Sequence, residues 1–363
     1  MNARSGGVRK LGPADLVRPE IRAISAYHVA PSAGMVKLDA MENPYPLPPV
    51  LRDEIERRIG TVEVNRYPDP SASALKSRMR TAMGVPEGFP LLLGNGSDEI
   101  IGMVAQTLAR PGAVLLSAEP TFVMYRMYAT FAGLRYVGVP LAADFSLDEE
   151  RFLAAIAEHS PAVVFLSYPN NPTGNLYSTA AIERVLDAAP GLVVVDEAYH
   201  AFAGQTFMRR LAEFPSLMVM RTVSKLGLAG LRLGYAAARE EWIREFDKVR
   251  PPYNVGALTQ AIADVVLGRV DMLEAQARDI CVSRESLRAR LAQLPGVEVY
   301  PSDANFLLAR VPDAGRLYEA LRTRRVLVKN LDGSHPLLAN CLRFTVGTPA
   351  ENDALLAALT ASL

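Results

Sequence analysis

Several short stretches of this chain carry polar groups where an apolar, strand-like run ends. In "RTVSKLGLAG", Lys225 follows Ser224 and stands between apolar flanks, with Arg232 seven residues on. A lysine at a strand end is most often a solvated surface group. An apolar setting, however, lowers its pKa and frees a nucleophilic amine of the kind that condenses with an aldehyde. "VVVDEAYH" ends its apolar run on Asp196, with Tyr199 three positions later. A carboxylate there is costly unless a helix cap, an ion pair or a cationic ligand meets it. "SYPNNPTGN" puts Asn170 and Asn171 side by side in a turn, and a turn does not need both amides. "LLLGNGSDEII" runs strand, glycine turn, helix. Gly94 and Gly96 permit close backbone approach, while Ser97 and Asp98 open a helix whose free N–H groups and dipole favour an anion. It is not a dinucleotide fingerprint, because Glu99 stands where the third glycine belongs.

In chain order the set is a phosphate-type turn, an aromatic at Phe122, an amide at Asn171, the acid Asp196 with Tyr199, then Ser224, Lys225 and Arg232. Arg232 offers a planar fork suited to phosphate. Each part alone has a bland reading as a turn, a cap or a surface charge. Together they match what pyridoxal 5'-phosphate needs: an amine for its aldehyde, an anion site, a carboxylate for its ring nitrogen, donors for its phenolic oxygen and a flat side chain for one ring face. That cofactor is expected, and no metal.

The elements that must position these residues are legible between about residues 90 and 240. Apolar, β-branched runs ("PLLLG", "GAVLLSA", "RYVGVPL", "AVVFLSYP", "GLVVVDEAY", "LMVMRTVSK", "LRLGYAAA") alternate with helix-like stretches such as Asp98 to Leu108 and Ala180 to Ala189. This is the βαβ pattern of a mostly parallel sheet covered on both faces, and ligands in such sheets sit beyond the carboxyl ends of the strands. After about residue 255 the texture changes to long charged helices, Asp271 to Leu294 among them, followed by "VEVYPSDANFLLARV", "RVLVKN", "CLRFTVG" and a last helix from Glu351. The expected fold class is α/β, with a large domain over 55–265 and a smaller α+β domain formed by 1–54 and 266–363.

Composition narrows the partners. Lys plus Arg and Asp plus Glu number 39 each, so no net field or basic arm favours nucleic acid. Two cysteines, Cys281 and Cys341, are too few and too far apart for a disulfide framework or a metal motif. The N-terminus lacks the apolar core of a signal peptide, and no apolar run approaches the roughly 20 residues of a membrane span. A cytoplasmic protein acting on small molecules is expected.

The motifs "AYHVAP", "KLDAMENPYP", "NRYPDP", "GNGSDE", "EPTFVMY", "YPNNPTG", "VVVDEAY", "RTVSK", "LAGLRLGY", "RPPYNV", "SDANFLLAR" and "CLRFTVGTP" resemble those of the fold-type I pyridoxal-phosphate aminotransferases, and within them the histidinol-phosphate aminotransferase family. The likeness runs from about Leu16 to Leu359. It implies a seven-stranded, mostly parallel sheet in the large domain. It also implies amino transfer between L-histidinol phosphate and 2-oxoglutarate, or in reverse from glutamate to imidazole-acetol phosphate, in histidine biosynthesis. By this resemblance Lys225 joins the cofactor aldehyde as a Schiff base and shuttles the proton, Asp196 pairs with the ring nitrogen, and Tyr199 and Asn171 hold the phenolic oxygen. Phe122 stacks on the ring; Gly96, Ser97, Asp98, Ser224 and Arg232 form the phosphate end. Tyr67 reaches that phosphate from the other subunit of a homodimer. Tyr27, Asn43, Arg343 and Lys329 are the implied substrate residues, with Arg343 anchoring the substrate phosphate and the acceptor carboxylate. Three departures stand out: Met41 where the family commonly has asparagine, Lys329 where it often has arginine, and a Lys225–Arg232 loop one residue shorter than in many relatives. An aromatic amino-acid aminotransferase and a threonine-phosphate decarboxylase share most of these motifs and are the alternatives.

Overall fold

The seven apolar runs all become strands of one sheet. The computed structural model describes residues 9–26 and 29–363. In chain order its strands are β1 (Val36–Lys37), β2 (Leu91–Gly94), β3 (Val114–Glu119), β4 (Arg135–Pro140), β5 (Val163–Ser167), β6 (Leu192–Asp196), β7 (Leu217–Thr222), β8 (Gly234–Ala237), β9 (Glu298–Val299), β10 (Phe306–Arg310), β11 (Val326–Leu327), β12 (Lys329–Asn330) and β13 (Cys341–Thr345). The large sheet has the order β2-β8-β7-β6-β5-β3-β4, and within it only β8 runs against its neighbours. This is the α/β arrangement with a seven-stranded, mostly parallel sheet that the sequence leads one to expect.

Successive side chains of a strand point to opposite faces, and this sheet is apolar on both. Val164, Leu166, Val193, Val195 and Val219 enter one core, while Val163, Phe165, Leu192, Val194, Met218 and Met220 enter the other. Helices cover both sides, including Ser97–Leu108, Glu149–His159 and Thr179–Ala188. Burial on two faces is why β5 and β6 read as nearly unbroken apolar runs.

The C-terminal part forms a four-stranded antiparallel sheet, β12-β13-β10-β9, backed by Ala314–Thr323 and Pro349–Thr360 through a third core around Leu307, Leu317, Leu342, Phe344 and Leu355. The segment before residue 55 divides. β1 pairs in parallel with β11 in a separate two-stranded sheet. The helix Pro49–Ile59, which includes residue 55, lies against Ala257–Leu267. Ser32–Leu363 forms one compact unit holding all three sheets, and Met1–Pro31 forms another. In the latter, two short helices, Pro13–Leu16 and Pro19–Arg22, are joined by a bond from the Arg22 guanidinium to the Ala14 carbonyl. No helix among the described residues is long and apolar enough to cross a membrane.

Candidate active site

A cleft of about 430 Å³ opens at the carboxyl ends of β5, β6 and β7. Lys225, Asp196, Tyr199, Asn171, Phe122, Ser97, Asp98, Ser224 and Arg232 all line it, so the site collects nine of the residues named from sequence. Register explains part of this: Ser167 and Asp196 are paired neighbours at the ends of β5 and β6, and Thr222 closes β7 beside them.

Lys225 is carried by a π-type turn over Ser224–Leu228, in which the Leu228 amide reaches back to the Val223 carbonyl at 3.2 Å. Gly227 takes φ +131°, a conformation side chains rarely adopt, and this lets the turn continue past the lysine. The Lys225 ammonium donates to the Ala40 carbonyl at 3.0 Å and lies 5.9 Å from the centre of the Tyr199 ring. Burial, and then the positive charge of Arg343, draw its pKa down to about 8, against the opposing pull of Glu42 and Asp98.

Asp196 is buried at the end of β6. Its two oxygens accept from the Tyr125 hydroxyl at 2.7 Å and from the Ala198 amide at 3.1 Å. Burial raises its pKa to about 7, and these two donors only partly offset that. Among the described residues it has no ion-pair partner. A protonated heterocyclic nitrogen is a group this acid is built to meet.

At the other end, Ser97 begins the helix Ser97–Leu108 and Gly96 caps it at φ +84°. A side chain at Gly96 would come within 2.6 Å of the Arg232 guanidinium, so the missing Cβ is what lets arginine lie over the helix start. Arg232 is itself in the left-handed region at φ +49° and lies 3.6 Å from the Asp98 carboxylate. Ser224 is buried and its hydroxyl accepts from Thr222 at 2.8 Å. A helix N-terminus, a guanidinium and two serines make a site for a phosphate-sized dianion. With Lys225 and an Asp196 that no cation among the described residues meets, the residues present fit pyridoxal 5'-phosphate.

The two asparagines of "YPNNPTG" have separate tasks. Asn170 ties its loop together, donating to the Pro120 carbonyl at 3.0 Å and to Thr173 at 2.8 Å. Asn171 faces the cleft and accepts from Arg343. Arg343 is buried in the middle of β13, where it also donates to the Asp39 carbonyl at 3.0 Å and stacks 5.3 Å from the centre of Phe306. Lys329 is paired with Arg343 across β12 and β13, so the two project from the same face of that sheet.

Among the expected residues, Asn43, Tyr67, Arg343 and Lys329 are not part of the cleft lining. Asn43 does not line the cleft; its amide donates to the Leu226 carbonyl at 3.1 Å and to Gln276 at 3.0 Å, bracing the lysine turn from behind. Tyr67 is 80% exposed, away from this chain's own cleft, and stacks on Tyr253 with ring centres 4.4 Å apart. Tyr27 lies outside the described residues. Met41 does line the cleft and holds φ +53°, a conformation in which asparagine is far commoner than methionine. Sequence reasoning missed Glu42, which also lines the cleft, and Tyr125, whose place in "EPTFVMY" looks like an ordinary apolar helix position.

Residues 33–359 match the family model described as aminotransferase class I and II. The chain is 58% identical to histidinol-phosphate aminotransferase 1 of Ralstonia nicotianae over 96% of its own length and 94% of that protein. It is 55% identical to the histidinol-phosphate aminotransferase of Chromobacterium violaceum, over 96% and 98%. Among solved structures, the histidinol-phosphate aminotransferase of Sinorhizobium meliloti in complex with pyridoxal-5'-phosphate superposes with a TM-score of 0.85 at 26% identity, covering 95% of this chain and 96% of that one.

Proposed function

From the premise that this chain belongs to the class I and II aminotransferase family, we propose that it moves an amino group between L-histidinol phosphate and 2-oxoglutarate, its cofactor being pyridoxal 5'-phosphate. The observation that carries the reading is the cleft itself: a half-buried amine with a depressed pKa, a buried acid with no cation among the described residues, and an arginine-capped helix start line one site. The 55–58% identity to histidinol-phosphate aminotransferases over nearly the whole chain supports the choice of substrate.

When bound, the cofactor supplies an aldehyde for amine exchange and a protonated ring that accepts electron density from the substrate carbon. The chain's own residues do the rest. The Lys225 amine would hold the cofactor through its aldehyde and would serve as the base that takes and returns the proton at the substrate carbon. Asp196 keeps the ring nitrogen protonated. Tyr199 and Asn171 orient the phenolic oxygen, Phe122 covers one face, and Gly96, Ser97, Asp98, Ser224 and Arg232 fix the phosphate end. Arg343, with Lys329 on the same sheet face, receives the substrate phosphate in one half-reaction and the acceptor carboxylate in the other; its fork suits both anions. The enzyme acts as a cytoplasmic homodimer in which the exposed Tyr67 reaches the phosphate site of a second copy. The large part over about 55–265 holds the cofactor, and the C-terminal sheet, through Arg343 and Lys329, holds the substrate anion.

The test is a panel with the purified protein: amino transfer from histidinol phosphate to 2-oxoglutarate, amino transfer from phenylalanine, and carbon dioxide release from threonine phosphate. Histidinol phosphate is expected to be preferred. Preference for phenylalanine, or decarboxylation without amino transfer, would replace this reading.

A further inference from the structure

Tyr125 is wholly buried, yet a phenylalanine would fill the same space; what a tyrosine adds is its hydroxyl. That hydroxyl lies 2.7 Å from Asp196. Its ring stacks on Phe165 with centres 4.8 Å apart and meets Phe122 edge-on at 5.6 Å and 86°. Phe122 and Tyr125 are three residues apart at the start of the helix Met124–Ala132, so one turn of chain carries both a wall of the cleft and the donor to its buried acid. From this geometry we infer that Tyr125 is a positioning residue for the cofactor: its hydroxyl holds Asp196 oriented and anionic, and its ring fixes Phe122 against the same site. The inference rests on the cofactor assignment above but not on the choice of substrate.

The physical argument is one of donors. A buried carboxylate tends to keep its proton, and hydrogen bonds to the charged form oppose that. Asp196 has two such donors, and Tyr125 is the stronger influence of the two. The phenol remains a donor throughout, because burial and the neighbouring carboxylate push its own ionisation well above the usual range. The other charged groups that act on Asp196, Asp98 and Glu197, both push it toward the neutral form, so loss of the hydroxyl has no compensation from them.

The test begins with apoprotein. Because the folded state raises the Asp196 pKa to about 7, it binds a proton that the unfolded chain has already lost over the window from the ordinary aspartate range to about pH 7. That contribution to stability is therefore present at low pH and is lost as pH rises through about 7. Tyr125→Phe pushes the folded pKa higher still. Its melting-temperature deficit relative to wild type should grow between pH 6 and pH 8, by about twofold, the ratio of a charge-assisted to a neutral hydrogen bond. In an Asp196→Asn background the deficit should be the same at both pH values. The cofactor dissociation constant, followed by absorbance at pH 8, should rise about tenfold when Tyr125→Phe is made alone and much less when it is made in the Asp196→Asn background. A pH-independent deficit, or one that persists unchanged with Asp196→Asn, overturns the inference. Should the phenylalanine variant not accumulate folded, 3-fluorotyrosine at position 125 keeps the ring and donates more strongly. It should lower the midpoint of the pH-dependent stability loss, and an unmoved midpoint is equally fatal. Failure of the histidinol phosphate assay would leave these apoprotein readouts intact, so the two claims fail separately.

Discussion

Lys225 is placed where burial and a nearby guanidinium outweigh two carboxylates, and this has a measurable consequence. With a pKa near 8, the rate at which apoprotein captures its cofactor should climb with pH, about tenfold per unit below that point, and level off above it as the amine loses its proton. Stopped-flow absorbance between pH 6.5 and 9 reads this; a flat profile would mean that another amine attacks the cofactor. Lys225→Ala should abolish amino transfer and leave no borohydride-stable adduct in the peptide that holds position 225, as read by mass spectrometry. Arg343→Lys should raise KM for both the phosphate substrate and the keto acid acceptor, because a point charge replaces a bidentate fork that also serves Asn171 and the Asp39 carbonyl. An increase for one substrate alone would restrict Arg343 to one half-reaction. At this scale much is readable in the chain, since a charged residue ending an apolar strand is conspicuous. Tyr125 is not, because its acid partner is 71 positions away and nothing local marks a buried hydroxyl as a donor. Asn43 misleads for a similar reason: its partners, Leu226 and Gln276, lie 183 and 233 positions away, so its amide looks available for substrate.

Among the elements, the turn at Gly96 is the most exposed to a single substitution. Gly96→Ala adds a Cβ that would clash with Arg232 and asks a non-glycine residue to hold φ +84°. At about 1–2 kcal/mol for the backbone alone, cofactor affinity should weaken about tenfold or more, which retained cofactor after dialysis will report. Unchanged retention would place the phosphate elsewhere. The inner strands β5 and β6 are legible because burial on both faces leaves a nearly uninterrupted apolar signature. The helix Pro49–Ile59 is harder to place from sequence, since its partner, Ala257–Leu267, is distant along the chain and only Leu51 of the helix is fully buried. The two-residue pairing of β1 with β11 is too short to leave any periodicity of its own.

Across the whole molecule, the large sheet rests on a buried ionic knot beneath the site. Arg221, at 5% side-chain exposure, bonds Glu197, at 0%, and also donates to Thr206 and the Met83 carbonyl. Glu197 further accepts from the Phe207 amide. Arg221→Met would strand that carboxylate and should cost about 3–5 kcal/mol, seen as a lower urea midpoint. A shift within error would show that water or a rearranged neighbour solvates Glu197. This knot is hidden in the sequence: Arg221 sits inside "RTVSK" and Glu197 inside "VVVDEAY", each beside a more conspicuous residue of the cleft.

The reversal at β8 gives the molecule a mechanical property. Because the chain doubles back from β7 to an adjacent antiparallel strand instead of crossing over through a helix, Lys225 and Arg232 leave and re-enter the same rim of the sheet within one short span. Attacking group and anion clamp therefore share a single tether. Lengthening that tether would unsettle both at once, and grafting either one onto another scaffold would require taking the other along.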